Sequence, residues 1–270
     1  MRPTLAGEKI GSLAITEPGG GSDVGHLTTK AERDGDHYVV NGSKTYITSL
    51  SGRLRRRGGA HRRAGRGRRI AARHRQGHTR IHRHPEARQD GLALLGHRRA
   101  VVRRRTCAGQ EPRRPGELRI RQIAMAFVTE RSGLAVQAYA SAQRCLDLTV
   151  QWARDRETFG KPIIARQSVQ DSLTEMARRI DIARTYTRAV VERKVTSHDD
   201  LIAEVCFAKN TAVEAGEWVA NKAVQLHGGL GYMTGTEVER QYRDMRIIGI
   251  GGGTTEILNG LAAKRLGFHA

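Results

Sequence analysis

The chain is poor in several residue types whose scarcity is informative. Cysteine occurs only three times in 270 residues, as Cys107, Cys145 and Cys206, widely spaced and never as CxxC. A disulfide framework or zinc ribbon is thereby excluded, and a reducing compartment fits. No run approaches the roughly 18 apolar residues of a membrane helix, and the opening Met1-Arg2-Pro3-Thr4-Leu5 lacks the apolar stretch of a secretory signal. The expectation is a soluble, cytoplasmic protein with no membrane partner. Aromatic residues make up 4% of the chain, and lysine is missing altogether from residues 51–121.

That last absence matters because the same stretch carries 23 arginines against four acids, with six histidines and no aromatic residue. It holds +19 of the formal net charge of +20 and leaves the rest near neutral. A polybasic arm gripping phosphates is one reading, which would make the chain an Arg-rich nucleic-acid-binding protein. Natural basic arms mix Lys with Arg, however, whereas arginine without lysine is what GC-rich DNA gives when translated out of frame. Gln89-Asp90-Gly91-Leu92 written CAA GAT GGG CTG reads KMGW one base on, and His97 to Ala100 written CAC CGC CGA GCT reads TAEL in the same frame. Residues 51–121 are therefore read as a frameshifted, disordered segment, with no nucleic-acid partner. His78, His82 and His84 then carry no metal meaning; an arginine-rich surround also repels a cation, so no metal site is expected.

The remaining chain, in a sequence that is 38% hydrophobic, is enough to bury a core. Residues 1–50 read as β. Asp34-Gly35 and Asn41-Gly42 are both hairpin signals, the second set between His37-Tyr38-Val39-Val40 and Ser43-Lys44-Thr45-Tyr46-Ile47-Thr48. From Gln122 onward the period becomes helical: Val169, Leu173, Met176, Ile180 and Ala183 recur at three and four, as do Val205, Ala208, Ala212, Ala215 and Val219. Helices are expected near 123–154, 165–197, 199–226 and 254–265, with residues 228–235 as a loop before a further short helix. Helices of this length joined by short turns pack as an antiparallel bundle. The fold class is α+β, a partial β-domain followed by that bundle. The domains are 1–50, the arginine-rich 51–121, and a helical 122–270.

Three glycine-rich loops interrupt these elements. Ile15-Thr16-Glu17-Pro18-Gly19-Gly20-Gly21-Ser22-Asp23 follows a strand; its glycines let backbone N–H groups converge on an anion or a ring edge, and Thr16 and Ser22 add hydroxyls. It is neither GxGxxG nor GxxxxGK[ST], so a Rossmann or P-loop site is not indicated. Gln225-Leu226-His227-Gly228-Gly229-Leu230-Gly231-Tyr232 ends a helix, and Gly251-Gly252-Gly253-Thr254-Thr255-Glu256 opens the last one. Helix caps alone would account for these two; the last also presents free N–H groups to an acceptor.

Together with Arg156-Glu157-Thr158-Phe159-Gly160-Lys161-Pro162, these loops resemble the acyl-CoA dehydrogenase family, flavoproteins that make an α,β double bond in an acyl-CoA thioester. ITEPGGGSD and YIT resemble the family's middle β-domain; RETFGKP, QLHGGLGY, YRDMRI and GGGTTEIL resemble its C-terminal helical domain in order and spacing. The resemblance covers residues 1–50 and 122–270, and the family's N-terminal helical domain is absent. It implies FAD held by segments of both domains. Leu13, Ala14, Ile15, Thr16, Gly21 and Ser22 would line one side, Thr16 near the redox-active edge and Ser22 also reaching substrate. Tyr46, Ile47 and Thr48 would pack on the other side of the ring. It further implies a dimer of dimers in which Arg156, Thr158 and Gln167 of one subunit, and Gln225, Gly228 and Gly229 of a neighbour, contact one FAD. Thr254, Thr255 and Glu256 would complete the dinucleotide site, and Arg131 and Gly253 would touch the acyl-CoA. Electron-transfer flavoprotein is the implied acceptor; an acyl-CoA oxidase, which returns electrons to oxygen, is the neighbouring possibility.

The reaction needs a carboxylate against Cα in a dry pocket, where burial raises its pKa toward working pH. Much of the family keeps that carboxylate just before the Gly-Thr of the last glycine motif, which here is Gly252. Other branches carry it on the first helix of the C-terminal domain in an E-R pair, matched here by Glu130-Arg131. Glu130 is the expected base, with Glu256 as the fallback. Without the N-terminal domain and the later β-strands, the chain itself is expected to be inactive.

Overall fold

The computed structural model describes residues 13–34, 37–47, 81–83, 98–108, 116–197 and 199–268. The chain divides into two compact units, one of Met1–Gln89 with Ala93–Pro112, the other of Asp90–Leu92 with Arg113–Ala270.

The first unit holds a four-stranded antiparallel sheet. Its strands are β1 (Lys30–Asp34), β2 (His37–Ile47), β3 (Ile81–Arg83) and β4 (Arg98–Ala108), in the order β1-β2-β4-β3. Asp34 pairs with His37, which leaves a two-residue connection where Asp34-Gly35 predicts a hairpin. The second expected hairpin does not form. β2 runs unbroken through Asn41-Gly42, and the pairing with β4 shifts register between Val40 and Gly42. Gly42 is there for space: a Cβ on it would lie 2.2 Å from the Thr29 hydroxyl, so the glycine admits a close approach within a bulge and makes no turn.

β3 and β4 fall inside the arginine-rich segment, where no ordered element was expected. A β-ladder is bonded backbone to backbone, and β4 contains Ala100-Val101-Val102 and Thr106-Cys107 among its arginines, so composition alone does not forbid it.

The second unit is a helical bundle. It consists of α1 (Gly116–Asp155), α2 (Gln167–Thr196), α3 (Ile202–His227), α4 (Gly229–Tyr232), α5 (Glu237–Ile248) and α6 (Thr255–Arg265), with a two-stranded hairpin of β5 (Glu157–Thr158) and β6 (Lys161–Pro162) after α1. α1 begins several residues earlier than the periodicity predicts, and the loop expected at 228–235 contains the single turn of α4. α3 is central: half of its 26 residues are buried. Its Ala212, Ala215, Val219 and Ala223 meet Ala135, Ala138 and Ala142 of α1 and Met176, Ile180 and Ala183 of α2. Small residues on the facing sides let the helices approach closely, and α3 thereby becomes the wall from which the surrounding loops are held.

Candidate functional site

In the first unit the glycine-rich loop closes on itself. Glu17 N donates to Gly20 O at 3.0 Å and Gly20 N to Glu17 O at 3.1 Å, a tight turn through Pro18-Gly19. The turn buries the Glu17 side chain. Its carboxylate accepts from the N–H and hydroxyl of Thr28 at 2.8 and 2.5 Å, from those of Thr29 at 2.9 and 2.5 Å, and from Lys44 Nζ at 2.9 Å. The Thr28 and Thr29 hydroxyls, then Lys44, hold the Glu17 carboxyl far below the usual carboxylate range. Lys44 Nζ also donates to Ile15 O at 2.8 Å, and Thr45 N to Thr16 O at 2.9 Å. Of the expected residues, Ile15 and Thr16 are thus tied beside the end of β2 that carries Tyr46 and Ile47. Tyr46 has φ 56° and an exposed ring, while Ile47 is buried; a tyrosine holds that left-handed backbone only when its surroundings fix it. Leu13, Ala14, Gly21 and Ser22 are exposed. Thr48 lies outside the described residues.

The second unit has an open cleft of about 570 Å³ at the end of α3. Its wall is aromatic: Trp152 and His227 stack with centroids 5.3 Å apart. Trp152 Nε1 donates to Leu226 O at 3.1 Å, and His227 Nδ1 donates to Ala223 O at 2.7 Å. Burial pushes the His227 imidazole below its ordinary value. The Arg156 guanidinium stands 5.9 Å from the Trp152 ring centroid. Thr158 is fixed by Arg166, whose Nη2 donates to its carbonyl at 2.8 Å and its hydroxyl at 2.9 Å. α3 stops at Gly228, with φ 60°, and a Cβ on Gly228 or Gly229 would meet nothing within 4 Å. Arg156, Thr158, Gln225, Gly228 and Gly229 all line this cleft. The resemblance assigned them to two neighbouring subunits. Because the Trp152–His227 stack sets the end of α1 beside the end of α3, one chain presents both sets. Gln167 does not line the cleft; its amide donates to Asp171 at 2.8 Å.

The third loop joins α5 to α6. Thr254 caps α6, its hydroxyl accepting from Ile257 N at 3.4 Å, and its hydrogen bond to Glu256 lowers that exposed carboxyl. From α1, buried Arg131 donates Nε to Gly252 O at 2.9 Å. From α3, fully buried Lys209 donates to Gly253 O at 3.0 Å and Gly249 O at 3.3 Å. Arg131 thus ties the first helix of the bundle to the last glycine loop. Glu130 itself is exposed, contrary to the dry pocket expected for it: Arg131 takes the inward face of the helix, and its neighbour is turned outward. Gly252 has φ 68°, and a Cβ there would stand 2.6 Å from Leu134 Cδ1, so a side chain at this position meets left-handed backbone and must displace the end of Leu134.

Sequence reasoning passed over Glu17, Lys44 and Lys209. A signal for Lys209 existed, since it stands four residues after Val205 and three before Ala212, on the buried stripe. Among the described residues no group of three or more metal-ligating side chains occurs, and no helix is long and apolar enough to cross a membrane.

The chain is similar to several known proteins. The family described as "Acyl-CoA dehydrogenase, C-terminal domain" matches residues 120–267, and "Acyl-CoA dehydrogenase, middle domain" matches residues 12–51. The chain is 34% identical to the human mitochondrial short-chain specific acyl-CoA dehydrogenase, over 95% of this chain and 63% of that protein. It is 31% identical to a 3-(aryl)acrylate reductase of Clostridium sporogenes, over 98% of this chain and 71% of that one. A crystal structure from Mycobacterium smegmatis, provisionally assigned as an acyl-CoA dehydrogenase, superposes with a TM-score of 0.83 at 54% identity, covering 100% of this chain and 71% of the other.

Proposed function

Because the chain belongs to the acyl-CoA dehydrogenase family, we propose that it encodes FAD-dependent dehydrogenation of an acyl-CoA thioester. The chain spans 63% of the length of its human relative. The observation that carries the reading is the Arg131–Gly252 hydrogen bond, which brings the E-R pair of α1 against the last glycine loop.

The residues fit the cofactor piecewise. In the second unit, the cleft offers a cation in Arg156, an amide in Gln225 and open backbone at Gly228 and Gly229 beside an aromatic wall, a set suited to a phosphate-bearing aromatic dinucleotide. In the first unit, Thr16 and Tyr46 would serve the flavin ring. When bound, FAD supplies the two-electron acceptor for the hydride leaving Cβ. Glu130 accepts the α proton, and the electron pair of the broken Cα–H bond becomes the new double bond. Since Glu130 is exposed in its own unit, the water-free surround comes with the bound acyl chain. Arg131 and Gly253 position the thioester, and Glu256 stays with the cofactor. Gly252 offers no carboxylate, and Leu134 Cδ1 occupies the space beside it.

Electron-transfer flavoprotein as acceptor, a dimer of dimers and a cytoplasmic setting complete the reading. The family-model matches stop at 51 and resume at 120, whereas relatives align through the segment over 95–98% of the chain; its arginine-without-lysine composition is what supports an out-of-frame origin. The test uses a version restored to the length of its relatives with that segment recoded. There Glu130→Gln is expected to lower kcat by roughly a hundred- to ten-thousand-fold, and an unchanged rate overturns the assignment. Adding Gly252→Glu is expected to rescue more of the rate when Leu134 is also cut to Ala than when it is kept.

A further inference from the structure

Lys209 is the largest side chain that the second unit buries completely. A buried ammonium without a carboxylate partner is costly, and such a group persists only where its donors are used. Both of its hydrogen bonds go to backbone carbonyls at the two ends of one loop, Gly249 O and Gly253 O. Between them Gly252 O is taken by Arg131 from another helix. Three carbonyls within residues 249–253 are therefore held by two cations anchored on α1 and α3. Gly252 and Gly253 have φ 68° and 107°, and the other ties on the loop are few: Ile250 N and Gly251 N return to Ile247 O at 3.1 and 2.8 Å, and Asn210 Nδ2 donates to Thr255 O at 3.3 Å. The N–H groups of residues 252–255 have no hydrogen-bond partner among the described residues.

We propose that Lys209 is a positioning residue that, with Arg131, fixes the carbonyls of residues 249–253 inward, so that the N–H groups opening α6 remain free and outward for an anionic or polar acceptor. This rests on the reading of that loop as part of the cofactor and substrate site, which assigns Gly253, Thr254 and Thr255 their contacts.

The electrostatics make the clamp sensitive to pH. Burial, then the Arg131 charge, pushes Lys209 from its ordinary 10.5 to about 8. The groups facing it are Arg131 from α1, Cys206 and Glu217 from α3, and Glu256 from α6. Arg131 keeps its charge throughout, and burial raises the Cys206 thiol. Opening the loop returns Lys209 to water and to its higher value. The open state therefore binds the proton more tightly, and the closed loop gains stability as pH rises from about 8 toward 10.5. A neutral amine still donates to two carbonyls, without the cost of burying charge.

Amide hydrogen exchange on the full 270-residue chain tests this. In Lys209→Met, the hydrogen-bonded amides of Ile250, Gly251, Ile257 and Leu258 should lose protection by roughly tenfold or more while those of α2 keep theirs. Lys209→Arg should restore most of it. In the unaltered chain, protection of the loop, corrected for intrinsic exchange, should rise between pH 7 and roughly 9.5; the arginine variant should show no such step. Equal loop exchange in Lys209→Met and the unaltered chain overturns the proposal, as does protection lost evenly across the bundle. If the methionine variant fails to fold, the pH series decides, and a flat one overturns it. FAD titration is read separately: a loosened loop with unchanged FAD affinity removes the loop from the cofactor site and leaves the clamp standing.

Discussion

At the scale of single residues, the chain spends its buried charges on holding backbone in place. Glu17 gathers five donors from Thr28, Thr29 and Lys44, and Lys44 passes the constraint on to Ile15 O. This network fixes the glycine-rich loop against β2. Its pH dependence follows from the lowered carboxyl value. The unfolded chain protonates Glu17 more readily than the folded one, so the stabilisation is complete above the ordinary value of 4.5 and is lost as pH falls below it. Hydrogen exchange of β1 and β2 should show protection falling between roughly pH 5 and pH 3. Glu17→Gln should be less protected at neutral pH and lack that fall; a variant with the full acid transition would assign it to another group. Glu17 was not legible as a site residue because burial of a glutamate within a glycine run is decided by Thr28 and Thr29, which come after a separate turn.

At the scale of elements, period and punctuation specify structure where they act locally. The repeat of Val169, Met176, Ile180 and Ala183 gave α2 to within a few residues, and Asp34-Gly35 gave a real hairpin. Asn41-Gly42 failed because the same dipeptide serves a turn or a close approach, and Thr29 at 2.2 Å decides for the latter. The turn of α4 is another such case. A Cβ on Gly231 would stand 2.5 Å from Val224 O and 2.9 Å from His227 Cβ, so this glycine lets α4 fold back on the end of α3 and shapes the cleft. Gly231→Ala should destabilise the helical unit by about 1–3 kcal/mol, seen as a lower Tm with altered Trp152 fluorescence as His227 shifts. Gly229→Ala, where a Cβ meets nothing within 4 Å, should leave Tm unchanged; equal effects of the two would refute the packing argument.

At the scale of the whole molecule, charge and function separate. Nearly all of the net charge lies between the two stretches that match the family, so the basic character says little about the encoded reaction. The chain as it stands is expected to show no bleaching of added FAD by acyl-CoA. Recoding residues 51–121 one base on should raise FAD affinity and sharpen the melting of the first unit. A yellow, active preparation of the unaltered chain would refute the frame reading.

The sequence by itself determined the first hairpin, the long helices of the bundle with their core, and the three glycine loops, because hydrophobic period and glycine placement act over a few neighbouring residues. It also placed Glu130 beside Arg131 and left Gly252 without a carboxylate. Only the tertiary structure decided which groups meet. Arg156 and Gly228 share a cleft because Trp152 stacks on His227; Glu130 faces out because Arg131 faces in; and Lys209 holds a loop 40 residues away. These are contacts between elements far apart in the chain, set by how α1, α3 and α5 pack, and no local pattern encodes them.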